Sequence, residues 1–207
     1  MWAALGPEWQ AAFDEAWASW SSGCFGIGAV AVRDGAVVAR GRNRILETKA
    51  EPGVLADTML AHAEMNVLAA LSWGQTDVTL LTTLEPCLMC ASTILQAGVR
   101  EVHFAGPDPM FGGVPEALAA LPYAARREPV VRNGPMEGPL AAFGALLPLT
   151  FVAFWSFTDV LEVNAAALPA VVELARDVAA SGRLTQVVDG TGTTLDALRA
   201  VWDDLPA

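Results

Sequence analysis

Residues 83–90, Thr-Leu-Glu-Pro-Cys-Leu-Met-Cys, place two of the chain's three cysteines three positions apart, directly behind a proline. Pro86 suits the first turn of a helix, where a missing N–H is no loss, and "PCLMCASTILQAG" predicts a helix that Gly98 stops. Cys87 then falls in the first turn, and Cys90 shares its face, because i and i+3 are neighbours on a helix. Both sulfurs can point at one spot, and the positive end of the helix dipole favours thiolate over thiol. Alone, a Cys-x-x-Cys pair reads as metal-binding, redox-active or structural.

The flanking segments set the fold class. "DVTLLTTLE" (77–85) is a mostly apolar strand of the kind buried on both faces, and "REVHFAG" (100–106) is another. Upstream, "FGIGAVAVRDGAVVARGRN" (25–43) is two apolar runs joined by Asp34-Gly35, a strong hairpin signal. "TMLAHAEMNVLAALSWG" (58–74) predicts a helix ended by Gly74, and residues 7–22 another, with Trp9, Phe13, Trp17 and Trp20 at helical spacing. "GGVPEALAALPYAA" predicts a short helix and "EPVVRN" a last strand. Strands alternating with helices give an α/β sheet covered by helices. After about residue 137 the pattern becomes helical or apolar throughout. Residues 1–137 are therefore expected to form one domain and 138–207 a helical apolar extension packed on the core or on a partner subunit. Gly138 to Thr158 carries no charge. Gly144 and Pro148 interrupt that run and no basic cluster flanks it, so a buried helix pair or an oligomer interface is expected rather than a membrane span.

Two histidines are present, and His62 opens "HAEMNVLAAL". If that helix start faces the other, His62, Cys87 and Cys90 make a three-ligand N/S site, the pattern of catalytic zinc with a fourth position left for water. Glu64 lies in the same first turn. A carboxylate beside such water, without ligating it, suits proton transfer. Cys24 reads as a small buried hydrophobe, His103 as a residue on a strand's other face, and Met59, Met65 and Met89 as core. Asn66, four residues after His62, reads either as a brace for that helix start or as a plain polar position.

His-x-Glu and Pro-Cys-x-x-Cys, each opening a helix in an α/β pattern, form the zinc deaminase signature. With "GAVAVRDGAVVARGRN" upstream, residues 5 to 132 resemble the cytidine deaminase-like zinc deaminases. The resemblance implies a three-layer α/β/α fold with a mixed five-stranded sheet. It implies zinc held by His62, Cys87 and Cys90, Glu64 as general acid/base, and Asn43 hydrogen-bonding the substrate. Backbone N–H groups near Ala63 and Cys87 are candidates to hold substrate atoms, and Phe25, Ile27 and Phe111 to wall the base. The implied activity is hydrolysis of a cyclic amidine C–N bond with release of ammonia. "GRNR" and "TTLEPCLMCA" look like the tRNA adenosine and guanine deaminases, whereas "HAEMNVL" and "ILQAGVREVHF" look more like the deoxycytidylate deaminases.

Composition shapes the remaining expectations. The chain is 54% hydrophobic, with a net charge of −11 and a single lysine, Lys49. Its mean hydropathy is +0.41. So acidic a chain disfavours nucleic acid as a partner. A small nucleobase or nucleoside is expected as substrate, with no membrane and with homodimerisation. Arg40, Arg42 and Arg44 bracket Asn43 and leave deoxycytidylate as an alternative substrate; tRNA adenosine is a second. A zinc-stabilised binding module, which would have no use for Glu64, and a thiol oxidoreductase working through Cys87 and Cys90 are the rivals. The N-terminal stretch has no basic n-region or apolar h-region, so a cytoplasmic, reducing location is expected.

Overall fold

The computed structural model describes residues 2–206. The helix α1 (Pro7–Ser21) leads into a hairpin of β1 (Gly28–Arg33) and β2 (Ala36–Arg42). Asp34 and Gly35 both take positive φ, 51° and 74°, as the two-residue hairpin turn requires. Then come α2 (Ala63–Ala70), β3 (Thr79–Leu84), α3 (Leu88–Ala97), β4 (Glu101–Gly106), α4 (Val114–Ala119) and β5 (Val131–Asn133). The five strands form one sheet in the order β2-β1-β3-β4-β5. The pairs β1–β2 and β1–β3 are antiparallel, and β3–β4 and β4–β5 are parallel. The sheet is therefore mixed, as expected.

Strand alternation divides the core. Ala29, Ala31, Leu80 and Val102 face one way and pack with Ala63 and Val67 of α2 and Ile94 of α3. Val30 and Leu81 face the other way, onto Ala11 and Ala12 of α1. The central strand β3 is buried on both sides, which explains why "TLLTTL" does not alternate, whereas the edge strands β2 and β5 stay partly exposed.

The C-terminal segment is helical: α5 (Pro139–Phe154), α6 (Thr158–Ala167), α7 (Pro169–Ser181), α8 (Arg183–Asp189) and α9 (Thr194–Val201). Helix α5 lies on the α1 side of the sheet, and its Phe143, Leu146 and Leu147 share a cluster with Phe13, Leu84 and Ala105. Twelve of its sixteen residues are buried, which accounts for an apolar run with no polar face. No described helix is long and apolar enough to cross a membrane. The chain end returns to α1 through Trp17, whose indole N–H donates to the Gly192 carbonyl at 2.9 Å.

Contact between α5 and the sheet depends on a missing side chain. A Cβ on Gly144 would meet the Thr83 carbonyl oxygen at 2.4 Å. Gly144→Val should therefore push α5 off the sheet. Overpacking of this kind costs about 3 kcal/mol, a fall in melting midpoint of roughly 6–12 °C for a chain of this size. A thermal melt checks this, and a midpoint within ~2 °C of the parent would contradict it.

Candidate active site

Two helix starts supply the site. His62 is the N-cap residue of α2 and Cys87 that of α3, and both are in extended conformation. Pro86 thus precedes the cap rather than opening the first turn, a correction of two positions. Helix α2 is also shorter than the apolar pattern suggests. Asp57 is left-handed, residues 58–61 turn, and Leu71 is already extended. Helix α2 sits close on β2, because a Cβ on Gly41 would meet the Ala63 carbonyl oxygen at 2.5 Å.

His62 Nδ1 lies 3.6 Å from Cys87 Sγ and 3.5 Å from Cys90 Sγ, and the three donor atoms all lie within 4.8 Å of one another. Zinc bonded tetrahedrally to sulfur at about 2.3 Å and to nitrogen at about 2.05 Å requires N···S separations of about 3.6 Å. The donor set fits zinc. The hydrogen bond from the Cys90 side chain, with help from His62, holds the Cys87 thiol down to about 4, against the opposing effect of burial. The same bond, with burial and the Glu64 charge, pushes Cys90 up. Burial pulls His62 down, but the Cys87 bond and the charges of Glu64 and Cys87 outweigh it and leave its pKa raised.

Glu64 is 3% exposed. Its Oε2 lies 3.5 Å from Cys90 Sγ, and its Oε1 accepts from Thr82 Oγ1 at 3.4 Å. Burial raises its pKa, which makes it a stronger base once ionised.

His62, Glu64 and Cys87 open onto a cavity of about 360 Å³, whose wall includes Phe25, Ile27, Asn43 and Phe111. Ala63, a candidate to hold substrate atoms, is fully buried in the core between α2 and the sheet and is not among the residues that line the cavity. Asn43 is also buried: its N–H donates to Ile27 O at 2.8 Å, and its Oδ1 accepts from Ile45 N at 3.3 Å. It is a turn residue and a cavity residue at once. Met59, read as core, is instead 73% exposed and stands at the cavity wall. Cys24 is buried, and His103 pairs with Glu101 at 2.8 Å, away from the site.

The arginine cluster does not act as a unit. Arg42 and Arg44 both bind Glu47, at 2.9 and 2.7 Å, while Arg40 is exposed, and none of the three lines the cavity. The two pairs with Glu47 tie Arg42 and Arg44 to the loop after Asn43. Glu47 is the partner that spacing alone did not reveal.

Asn66 braces the site. Its Oδ1 accepts from Leu55 N at 2.8 Å, and its Nδ2 donates to Arg42 O and Leu55 O at 3.2 and 3.1 Å. The signal was an asparagine inside an apolar helix. Asn66→Leu should leave these backbone groups unpaired and cost about 3 kcal/mol, at about 1–3 per orphaned group. A urea midpoint equal to the parent's would contradict this.

The wall residues that sequence reasoning missed come from the C-terminal segment: Ala145, Pro148, Leu149 and Val152 of α5, and Val160 and Asn164 of α6. Pro148 sits inside α5, and no local pattern links it to residues eighty positions earlier.

Residues 9–106 match the family described as "Cytidine and deoxycytidylate deaminase zinc-binding region". Over 93 residues the chain is 40% identical to the tRNA-specific adenosine deaminase of Agrobacterium fabrum, covering 42% of this chain and 56% of that protein. Over 91 residues it is 43% identical to the chloroplastic tRNA(adenine(34)) deaminase of Arabidopsis thaliana, covering 42% of this chain and 6% of that protein. A solved structure from work on A-to-I editing by tRNA:A34 deaminases at the wobble position covers 61% of this chain and 96% of its own. It is 33% identical, with a TM-score of 0.51. The chain thus spans about half the length of the bacterial curated relatives it matches, and a small part of the plant one. Fold and site define the zinc-type deaminase class, and the chain belongs to the cytidine and deoxycytidylate deaminase zinc-binding family.

These relatives correct one expectation. Nucleic acid was disfavoured as a partner on the net charge, yet proteins 40% and 35% identical to this chain are tRNA-specific adenosine deaminases. Net charge averages over the whole chain, whereas binding a nucleic acid depends on the few side chains around one site.

Proposed function

We propose that the chain hydrolytically deaminates a nucleobase, replacing a ring C–NH2 by C=O and releasing ammonia. The observation that carries this reading is Glu64, a buried carboxylate 3.5 Å from a ligand sulfur and open to the same cavity as His62 and Cys87. A zinc-stabilised binding module has no use for such a carboxylate, and a Cys87–Cys90 redox pair has none for His62 at 3.5 to 3.6 Å.

His62, Cys87 and Cys90 would hold the metal. Zinc, when bound, supplies a water whose pKa falls toward about 7. Glu64 takes the proton of the attacking water as its oxygen bonds to the ring carbon that bears the amine. It delivers that proton to the adjacent ring nitrogen. It then carries the second water proton to the leaving amine as the C–N bond breaks. Thr82 holds Oε1, leaving Oε2 toward the ligand sulfurs. Phe25, Ile27 and Phe111 exclude water from the base, and Asn43 presents an amide to its edge.

In this reading residues 1–137 carry the chemistry, and residues 138–207 close the cavity through α5 and α6. The relatives named for tRNA make an adenosine in tRNA the first substrate to test. The helical wall favours a second reading, a free nucleobase or nucleoside, because α5 and α6 narrow the space around the base. We place the protein in the cytoplasm, where free ligand thiols stay reduced.

The test is an ammonia-release screen of zinc-loaded protein over adenosine-bearing tRNA, cytosine, guanine, adenine, their nucleosides and deoxycytidylate. Release from at least one of them, lost in Glu64→Gln, is expected. No release from any would overturn the reading.

A further inference from the structure

The cavity wall contains three polar side chains that the chemistry above does not use, Glu85, Asp108 and Asn164. Asn164, on α6, is 4% exposed and lines the same cavity as Glu64 and Asn43. Its Nδ2 donates to the Val160 carbonyl, one turn earlier, at 2.9 Å. That bond fixes the orientation of the amide, since an oxygen placed against a carbonyl oxygen would be repelled. Oδ1 is therefore the free end, and among the described residues it meets no protein donor. Asn164 Oδ1 is not sealed off among apolar atoms, so it can take a donor from a molecule in the cavity that its residue lines.

The other polar groups of the wall are engaged at least in part, and Asp108 keeps one carboxylate oxygen, Oδ2, without a protein donor among the described residues. Glu85 accepts from Arg132 at 2.7 Å and from the Asp108 N–H at 3.2 Å. Asp108 accepts from Met110 N at 3.1 Å. His62 and Cys87 belong to the metal site, and Glu64 to proton transfer. Asn43 has spent its oxygen on Ile45 N, which leaves its Nδ2 as a donor. The cavity thus presents one free amide donor, on the catalytic domain, and one free amide acceptor, on the extension.

We propose that Asn164 is a specificity-determining residue that accepts a hydrogen bond from an N–H of the bound base. The proposal rests on the deaminase reading and deepens its second, free-base form, because adenosine in tRNA has no N–H besides the amine that leaves. It selects bases that carry an N–H in addition to the amine that leaves, as guanine and cytosine do. It also gives the extension a part in recognition beyond closing the cavity. A site built to accept an N–H rejects the analogue lacking it, because the acceptor then stays buried and unpaired.

The test compares binding of guanine with 1-methylguanine, and of cytosine with 1-methylcytosine, to zinc-loaded protein by calorimetry, with ammonia release followed in parallel. The parent should prefer the unmethylated base of at least one pair by about tenfold or more, roughly 1.4 kcal/mol. Asn164→Leu should bring that preference below about twofold while leaving affinity for the methylated base unchanged, which a merely structural role would not do. Asn164→Ala, which favours a helix, replaces it if the leucine variant melts below the assay temperature. No preference in the parent, a preference that survives in the variant, or failure of both variants to fold would overturn the proposal. Preference in binding without ammonia release would sustain Asn164 and sink the deaminase reading. Ammonia release without preference would do the reverse.

Discussion

Glu64→Gln is expected to keep the zinc and the fold and to lower kcat by about 10²–10⁴-fold, the range for loss of one general acid–base group. Glutamine matches the shape and can still accept from Thr82 Oγ1, which meets Glu64 Oε1 at 3.4 Å, but it cannot take a proton from water. The fully buried carboxylate carries a desolvation penalty that glutamine does not, so the variant should melt no lower than the parent. Turnover, zinc content and melting midpoint measured on one preparation separate chemistry from folding. A kcat within tenfold of the parent would show that another group moves the protons.

Cys90→Ala is expected to abolish stoichiometric zinc, from about one per chain in the parent. Cys90 is wholly buried and is the ligand fixed most firmly by its helix, since it lies within α3 whereas Cys87 only caps it. Removing a direct ligand should weaken zinc by more than the roughly 10–100-fold that follows loss of an outer-shell partner. Metal binding is coupled to folding, so the parent's melting midpoint should fall on chelation, while the variant's should not respond. Elemental analysis and paired melts check this. Full zinc retention in the variant would remove Cys90 from the ligand set.

The metal site was legible because its geometry is local. His62, Cys87 and Cys90 each stand at or near a helix start, and a cap position fixes direction whatever the rest of the chain does. The hairpin was legible for the same reason, since Asp34-Gly35 encodes its own turn. What stayed hidden depends on pairing across the fold. Met59 and Leu60 carry a helix-like apolar pattern, yet both are exposed, and Met59 stands at the cavity wall. Arg40, Arg42 and Arg44 read as one cluster around Asn43, but Glu47 closes on Arg42 and Arg44 and leaves Arg40 out. The uncharged run after Gly138 read as buried, which α5 is, but nothing in it announces that Pro148 would stand over Glu64's cavity. The net charge misled about partners, because it sums over surfaces that never meet a substrate.

Water is proposed to replace the amine of a base, with Glu64 moving the protons. This is tested most directly by running the zinc-loaded parent in ¹⁸O-labelled water against the substrate identified by ammonia release, with mass spectrometry of the product. One labelled oxygen is expected in each product molecule and one ammonia released with it, with both lost together in Glu64→Gln. Product without the label, or equal labelling by the Glu64→Gln variant at the parent's rate, would contradict it.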